Sequence, residues 1–339
     1  MRAFIGRLGF SAATCLALLG VSSPLVPPTT TNTWARNLYA ADARLPVRVF
    51  ARTGLHLGDI LWTGSRFLYT AEGGRALVLA DPSGRTQGNL ATVPANGGEM
   101  RCVLSPGSHG FPAGDVFCHA SANQIYAVSL ATGKVSLFAQ LPSRQASDGA
   151  LAYDAVGAFG YKLLAATGGS DGGSGGTVFA IGSDRSVTKV GAYAGPGGAE
   201  QALVAPRSLG APAGKLLLTI DKHDHLGRLV AMDATGHVQT LAGGLAFGLD
   251  PLVMLTRTPN LPIGAAAPGL YIADWYSHNV LFIPASSLAP YAGDLLLTTE
   301  RRGQFFVLSP SSNGAYHLAS LATNLHQPDY NFEGAVYIG

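Results

Sequence analysis

The chain has 339 residues, of which 12% are charged and 47% hydrophobic, with 44 glycines and a formal net charge of +2. The charged fraction is well below the roughly 25% of a typical soluble domain, which excludes a helical bundle, since its wet faces need many charged residues. Short apolar strands joined by glycine-rich turns fit this composition, and closed all-β folds accommodate a chain of this length in one domain.

The first 23 residues are predicted to be a secretory signal peptide. Two arginines precede an apolar run over residues 8–21, and two serines follow it. The run is shorter than the roughly 20 residues of a membrane-spanning helix, which argues against the alternative of a membrane anchor. Residues 24–44, rich in proline and threonine, are interpreted as a linker. We therefore expect an exported protein, secreted, periplasmic or at the cell surface, with no membrane span in the mature chain.

The mature chain is predicted to be electrically balanced. Removal of residues 1–23 takes away two arginines, which leaves 20 basic and 20 acidic residues. A nucleic-acid partner normally requires a basic patch, and none is visible in the sequence. We therefore expect no nucleic-acid partner.

A four-strand pattern repeats along the chain. In each copy an acidic residue opens a first strand, a turn leads to a second strand, and a third and a fourth follow. Glu99, Asp148 and Glu200 open three copies, at spacings of 49 and 52 residues. Repeats of this length, with four strands each, are typical of the blades of a β-propeller.

The same elements continue on both sides of these copies. Asp59 opens an N-terminal blade, and a short strand over Val47–Phe50 precedes it. Strands that begin at Asp250, Gly269 and Asn279 are assigned to a fifth blade. Strands that begin at Asp294, Gln304 and Tyr316 are assigned to a sixth, and a strand that begins at Glu333 ends the chain. The count is six sets of four. We therefore predict an all-β, six-bladed β-propeller over residues 45–339, with four antiparallel strands per blade and closure by strands from both chain ends.

Cys102 and Cys118 fall on neighbouring antiparallel strands of one blade. Outside the cytoplasm, two cysteines at this separation can form a disulfide. The alternative is a pair of small buried thiols. We expect a disulfide.

The strand-opening acids are the main candidates for chemistry. The first strand of each propeller blade lines the central channel, so these residues should face one another at one mouth. All six are carboxylates, namely Asp59, Glu99, Asp148, Glu200, Asp250 and Glu333. Like charges in a narrow pore repel, so the ring needs a cation, bound protons or interleaved arginines. Oxygen ligands favour Ca²⁺, whereas the structural alternative is pairing with a basic neighbour such as Arg101.

Three segments resemble known propellers. Leu270–Ile283 is similar to the NHL-type repeat, and Asp148–Asp154 and Phe332–Tyr337 resemble inner strands of the gluconolactonase and regucalcin superfamily. The resemblance covers the architecture of residues 47–339. It implies a divalent ion at the channel mouth, held by Glu, Asn and Asp at blade starts, that activates lactones or phosphoesters. This chain departs from that pattern, because Asp and Glu stand where two asparagines are usual.

Two further polar features are weaker candidates. The Asp221–His225 loop places His223 and His225 together, which suits an accessory metal ligand or general base as well as an ordinary solvated loop. Asp274 lies in a turn and is expected to accept backbone hydrogen bonds. Two functions stay open at this point, a Ca²⁺-dependent lactone or ester hydrolase, and a non-catalytic monomeric propeller that binds a small molecule or a protein on one face.

Overall fold

The computed structural model describes residues 44–339 except 74, 95–98, 121–122, 144–148, 169–174, 222–225, 257–265, 312–315 and 326–329. The predicted signal peptide, all but the last residue of the predicted linker, and three candidate residues, Asp148, His223 and His225, lie outside this part of the chain. No helix within it is long and apolar enough to cross a membrane.

The described residues form twenty-four strands in six four-stranded antiparallel sheets, which are the blades of a six-bladed propeller. Among the described residues the helical elements include α1 (Ala285–Leu288) and 3₁₀ turns at Arg207–Leu209 and Ala289–Tyr291. The predicted fold class is therefore confirmed. The strands are β1 (Arg48–Arg52), β2 (Leu57–Trp62), β3 (Phe67–Ala71), β4 (Ala76–Ala80), β5 (Thr86–Thr92), β6 (Arg101–Leu104), β7 (Asp115–Ala120), β8 (Gln124–Ser129), β9 (Val135–Gln140), β10 (Gly149–Tyr153), β11 (Leu163–Thr167), β12 (Gly175–Ile181), β13 (Val187–Ala194), β14 (Gly198–Val204), β15 (Leu216–Asp221), β16 (Leu226–Met232), β17 (Val238–Ala246), β18 (Leu252–Met254), β19 (Gly269–Asp274), β20 (Asn279–Pro284), β21 (Leu295–Thr298), β22 (Phe305–Pro310), β23 (Tyr316–Leu321) and β24 (Phe332–Ile338).

Blades 1 to 4 are consecutive in the chain, as β2–β5, β6–β9, β10–β13 and β14–β17. Blade 5 consists of β18, β21, β22 and β23, and blade 6 of β24, β19, β20 and β1, from the channel outward. The innermost strands of neighbouring blades contact each other all around the ring. Blade 6 combines the N-terminal and C-terminal strands, so the predicted mode of closure is confirmed.

The strand assignment of the last two blades is wrong in the sequence analysis. The strands that open at Gly269 and Asn279 belong to blade 6 rather than to the fifth blade, and β21–β23 belong to blade 5 rather than to the sixth. The assignment relied on consecutive strands pairing, which holds for roughly two-thirds of strands. Instead β19 pairs with β24, with Gly269 opposite Ile338, and β20 pairs with β1. In the sequence, the β19–β20 hairpin lies between β18 and β21, which belong to blade 5. In the fold, it lies between β24 and β1 of blade 6.

A short motif identifies the second strand of three blades. Ala-Gly followed by Asp or Lys precedes β7, β15 and β21, at residues 113–115, 213–215 and 292–294. The glycines have positive φ values of 78°, 76° and 103°, a conformation that glycine adopts without the steric cost of a side chain. The third copy marks β21 as a second strand, in agreement with its position beside β18.

The second strands of the blades are largely apolar because each blade is covered on both faces. In β15, Leu216, Leu218 and Ile220 pack towards blade 3, whereas Leu217 packs towards blade 5. Side chains alternate between the two faces of a strand, so an unbroken apolar run supplies two blade interfaces. Outer strands such as β5 are mostly exposed and carry the polar residues. This layered packing fixes the inner strands around the channel.

The disulfide of blade 2 is present as predicted. Cys102 and Cys118 are opposite one another on β6 and β7, with Cα atoms 4.1 Å apart, and are bonded. The link closes a loop with a sequence separation of 16 residues.

We predict that replacing both Cys102 and Cys118 by Ala lowers the free energy of unfolding by about 3 kcal/mol, because the open loop gives the unfolded chain more freedom. Urea unfolding of both proteins measures the difference. Dithiothreitol should destabilise the wild type and leave the double variant unchanged. Equal unfolding midpoints for the oxidised wild type and the double variant would contradict this prediction.

Candidate metal centre

One mouth of the channel receives side chains from two kinds of strand end. The innermost strands begin there, and the second strands, which run in the opposite direction, end there. Glu200 and Glu333 lie near the starts of β14 and β24, and Glu99 and Asp250 lie two residues before β6 and β18. The structure brings these four of the six predicted carboxylates together.

The four carboxylates converge on a single nitrogen atom. Nη2 of Arg101 lies 2.5 Å from Glu99 Oε2, 2.7 Å from Asp250 Oδ2, 3.1 Å from Glu333 Oε2 and 3.4 Å from Glu200 Oε2. The arginine, at the start of β6, is 2% exposed, so its interactions are poorly screened by solvent. Arg101 is therefore the shared partner of the acidic mouth, as the structural alternative in the sequence analysis proposed.

One guanidinium does not balance four carboxylates. Nη1 of Arg101 donates to the carbonyl oxygens of Gly58 and Glu333, so only the two hydrogens of Nη2 face the four acids. Although burial opposes ionisation, the acids, led by Asp250, raise the pKa of Arg101 well above its usual value. Among the described residues that contact these four acids, Arg101 supplies one positive charge. The mouth therefore calls for protons or a further cation.

Two of the acids are buried deeply enough to resist ionisation. Burial raises the pKa values of Asp250 and Glu333 well above their usual range, with Arg101 acting in the opposite direction on both. Asp250 is 1% exposed, and its Oδ1 has no hydrogen-bond partner in the described part of the chain. A buried carboxylate oxygen without a donor is costly, and it is a suitable place for a proton or a metal ion.

Asp59, the fifth described acid of the predicted ring, accepts two backbone hydrogen bonds. Its Oδ1 accepts the N–H of Ile60 at 2.8 Å, and its Oδ2 accepts the N–H of Cys102 at 3.0 Å. The bond from Cys102 joins β2 to β6, so the carboxylate links blades 1 and 2. Burial raises the pKa of Asp59 to about 6, against the opposing charge of Arg101 and the two N–H donors. Asp59 does not belong to either of the two sets of three acids whose carboxylate oxygens are close enough to share an ion.

Those two groups define the candidate metal centre in the described residues. One consists of Glu72, Glu99 and Glu333, and the other of Glu99, Glu200 and Asp250. In each group one oxygen per residue lies within 4.8 Å of the others. The donors are all carboxylates, which suit hard cations such as Ca²⁺. The donor set and the orphaned Asp250 oxygen therefore fit a divalent ion, on either side of Glu99.

Two acids that follow second strands, Glu72 and Glu300, were not among the predicted site residues, whereas Asp221 was predicted only as part of the Asp221–His225 loop. Glu72 follows β3, Asp221 ends β15, and Glu300 lies two residues after β21. Asp274, which ends β19, was expected to accept backbone hydrogen bonds, and it accepts the N–H of Asn331 at 3.0 Å. The signal was available, because the residue that ends a second strand lies at the same mouth as the residue that starts the first.

Glu300 and Asp221 form a second pair of acids near the mouth. Burial first, and then the Asp221 carboxylate, raise the pKa of Glu300 to about 8, while Arg301 opposes the shift. The Arg301 Nε atom lies 3.8 Å from Glu300 Oε1. At neutral pH Glu300 is thus a protonated, partly accessible carboxyl group, which can donate a proton.

No protein-family model matches the chain, and no curated protein is similar to it in sequence. Solved structures do resemble it. A streptogramin B lyase has a TM-score of 0.41 and 11% identity, over 83% of this chain and 88% of the lyase. A protein of unknown function from Bacteroides thetaiotaomicron has 0.49 and 10%, over 84% of this chain and 64% of the other. An oligogalacturonate lyase in complex with manganese has 0.45 and 10%, over 80% and 68%. Nothing about the activity of this chain follows from likenesses at this level.

We predict that Arg101→Met, measured in EDTA at pH 7, lowers the free energy of unfolding by about 3–5 kcal/mol, because it leaves several buried carboxylates without a counter-charge. Arg101→Lys keeps the charge and should lose less. Urea unfolding of the three proteins measures the effect. If Arg101→Met were as stable as the wild type, the acids would not depend on a cation at this position.

The raised pKa of Glu300 predicts that the protein loses stability as the pH rises. The native state keeps a proton on Glu300 up to about pH 8, whereas the unfolded chain releases it near 4.5, so the stability is present below 4.5 and is lost through 8. Burial lowers the pKa of His119 to about 4, which acts in the opposite sense but only below about 6.5. In EDTA, the Tm should therefore fall between pH 6.5 and 8. Glu300→Gln should make this part of the profile less steep, with Asp250 and Glu333, whose pKa values burial also raises, contributing the rest of the fall. An unchanged slope in the variant would contradict the assignment.

Proposed function

We propose that this chain is an exported, Ca²⁺-binding propeller that hydrolyses a lactone or another ester at the acidic mouth of its channel. The observation that carries the proposal is the convergence of four carboxylates on Arg101, which supplies one positive charge and two available hydrogens. A divalent cation would neutralise two more of the four negative charges. It would also give the buried Oδ1 of Asp250 a partner.

The donor set supports Ca²⁺ in particular. Calcium accepts six to eight oxygens in flexible geometry, whereas Mg²⁺ requires a near-ideal octahedron. The carboxylates of the mouth come from several different blades, and no single loop sets their geometry. Glu72, Glu99, Glu200, Asp250 and Glu333 are the residues that would hold the ion.

The residues of the mouth would have separate roles in hydrolysis. When bound, the ion supplies a Lewis acid that polarises a carbonyl oxygen and lowers the pKa of a water molecule. Arg101 fixes the carboxylates around the channel axis. Glu300 holds a proton at neutral pH and is our candidate for the group that donates it to the departing alkoxide.

Export is supported by the disulfide of blade 2. Disulfides persist in oxidising compartments and are rare in the cytosol, and Cys102 and Cys118 are bonded in the structure. The signal peptide over residues 1–23 stays a prediction from the sequence, as does the monomeric state.

The second candidate function is non-catalytic binding of a small molecule or a protein on one propeller face. The position of Arg101 favours it, because the side chain fills the point where the carboxylates converge and is almost completely buried. In that case the arginine is a permanent structural counter-ion, and the chain needs no metal.

We predict that Ca²⁺ raises the Tm of the mature protein, because a ligand that binds only the native state stabilises it. Glu99→Gln should abolish most of the increase, because Glu99 belongs to both groups of carboxylates that are close enough to share an ion. Asp115→Asn is the matched control, because Asp115 begins a second strand and so lies at the opposite end of its blade. Thermal unfolding with EDTA and with Ca²⁺ measures the shift. An unchanged wild-type Tm would contradict cation binding.

The hydrolase itself is tested with a panel of five- and six-membered lactones and aryl esters. We expect turnover with Ca²⁺ and loss of at least nine-tenths of it in excess EDTA, by analogy with other metal-activated hydrolases. If Ca²⁺ stabilises the protein but no lactone or ester is hydrolysed, the catalytic proposal falls and the binding function is favoured.

A further inference from the structure

A cavity of about 390 Å³ lies between blades 1 and 2, at the end of the propeller opposite the acidic mouth. Its volume is within the roughly 300–1,000 Å³ of pockets that hold small molecules. The residues that line it are Thr63, Ser65, Arg66, Leu79, Leu130 and Ala131. We propose that this blade 1–2 cavity binds a small amphipathic anion, whose carboxylate or phosphate group contacts Arg66. The proposal goes beyond the proposed function and does not depend on a cation or on hydrolysis at the mouth.

Strand direction separates the cavity from the acids of the mouth. The first and third strands of a blade begin at the mouth and end at the opposite side, because neighbouring strands are antiparallel. Thr63 and Arg66 lie in the turn after β2. Leu79 is the last residue but one of β4, and Leu130 directly follows β8. No carboxylate is among the described residues that line the cavity, so an anion bound there does not contact the negative charges of the mouth.

The floor of the cavity is the open end of the apolar core between the two blades. Leu79 and Leu130 are half-buried and pack against the buried cluster that includes the disulfide of blade 2. The turn that carries Leu130 comes very close to blade 1, since a Cβ atom on Gly133 would lie 2.2 Å from the carbonyl oxygen of Leu90 in β5. Glycine is therefore required at this close approach. The two leucines form an apolar surface whose position is fixed by both blades.

Arg66 supplies the charge of the cavity. Its N–H donates to Oγ1 of Thr63 at 3.1 Å, and its carbonyl oxygen accepts the N–H of Thr63 at 2.9 Å, so the turn fixes its backbone. Its side chain is exposed, and no carboxylate in the described part of the chain pairs with its guanidinium. Asp81, an acid at the same end of blade 1, pairs with Arg85 at 3.2 Å. A guanidinium carries five N–H donors in a planar fork that matches a carboxylate or a phosphate.

The lining therefore requires a ligand with two different parts. Arg66 and the hydroxyl group of Ser65 can donate to an anionic group, whereas the leucines and Ala131 can cover an apolar chain. A neutral chain would leave the guanidinium without a counter-charge, and a small hydrophilic anion would leave the leucines in water. An amphipathic anion satisfies both parts, and octanoate is a suitable probe.

Isothermal titration calorimetry of the full mature protein in EDTA tests the two parts separately. Octanoate and octyl phosphate should both bind. Acetate, which lacks the chain, and 1-octanol, which lacks the charge, should bind at least about 10-fold more weakly, because each forfeits one of the two interactions. The proposal is overturned if neither octanoate nor octyl phosphate binds, or if 1-octanol binds as tightly as octanoate. EDTA keeps the result independent of any cation at the mouth.

Three variants locate the bound anion. Arg66→Gln removes the charge-assisted hydrogen bonds and should weaken octanoate binding by roughly 10- to 100-fold. Ala131→Trp fills the cavity from an exposed position and should abolish octanoate binding while the Tm stays at the wild-type value. Arg85→Gln is the matched control, because Arg85 is an exposed arginine at the same end that does not line the cavity, and it should bind octanoate like the wild type.

The control distinguishes a built site from general attraction to a basic surface. If Arg85→Gln weakens octanoate binding as much as Arg66→Gln does, the anion is attracted by surface charge and the proposal is overturned. Wild-type affinity in both Arg66→Gln and Ala131→Trp would place the ligand outside the blade 1–2 cavity and would also overturn it.

Discussion

The convergence of carboxylates on Arg101 is the interaction on which the organisation of the mouth depends. A propeller directs the start of every innermost strand to one end of its axis, so acids at those positions are forced together by the fold. Burial then raises the cost of each negative charge. The side chain of Arg101 reaches the centre of the mouth. Its Nη2 atom contacts four carboxylates, and its Nη1 atom donates to two carbonyl oxygens. This arrangement keeps a tightly packed ring compatible with an acidic centre, and it leaves a charge deficit that a divalent cation would remove.

The interleaved closure of the ring gives blade 6 its part in this site. Because β19 pairs with β24, the turn after β19 lies beside the residues that lead into β24. Trp275 and Asn331 are thereby brought into contact although they are far apart in sequence. The position of the β19–β20 hairpin in blade 6 therefore affects the mouth, because Trp275 donates a hydrogen bond to Glu72 and the neighbouring Asn331 donates one to Glu333.

Much of the fold was predictable from the sequence, because local patterns report local structure. Apolar runs, glycine turns and a period near fifty residues define hairpins and blades, and the spacing of opening acids identifies the innermost strands. The pairing of β19 with β24 was not predictable in this way, since periodicity identifies a hairpin without specifying which innermost strand it joins. The motif at 292–294 would have placed β21 in blade 5. The acids at the starts of the innermost strands were predicted from the sequence. Glu72 and Glu300 were not, because their prediction depends on the fact that second strands end at the mouth where first strands begin. The reach of Arg101 across the channel depends on side-chain packing in three dimensions.

The central claim is that the acidic mouth holds a divalent cation beside Arg101. The most direct test is a crystal of the mature protein grown with Mn²⁺, whose anomalous scattering identifies the ion and its position. We expect one strong anomalous peak within coordination distance of carboxylate oxygens of the mouth, including one from Glu99, which belongs to both candidate groups. An ordered mouth without an anomalous peak, in crystals saturated with Mn²⁺, would contradict this account and leave Arg101 as a structural counter-ion of the acids.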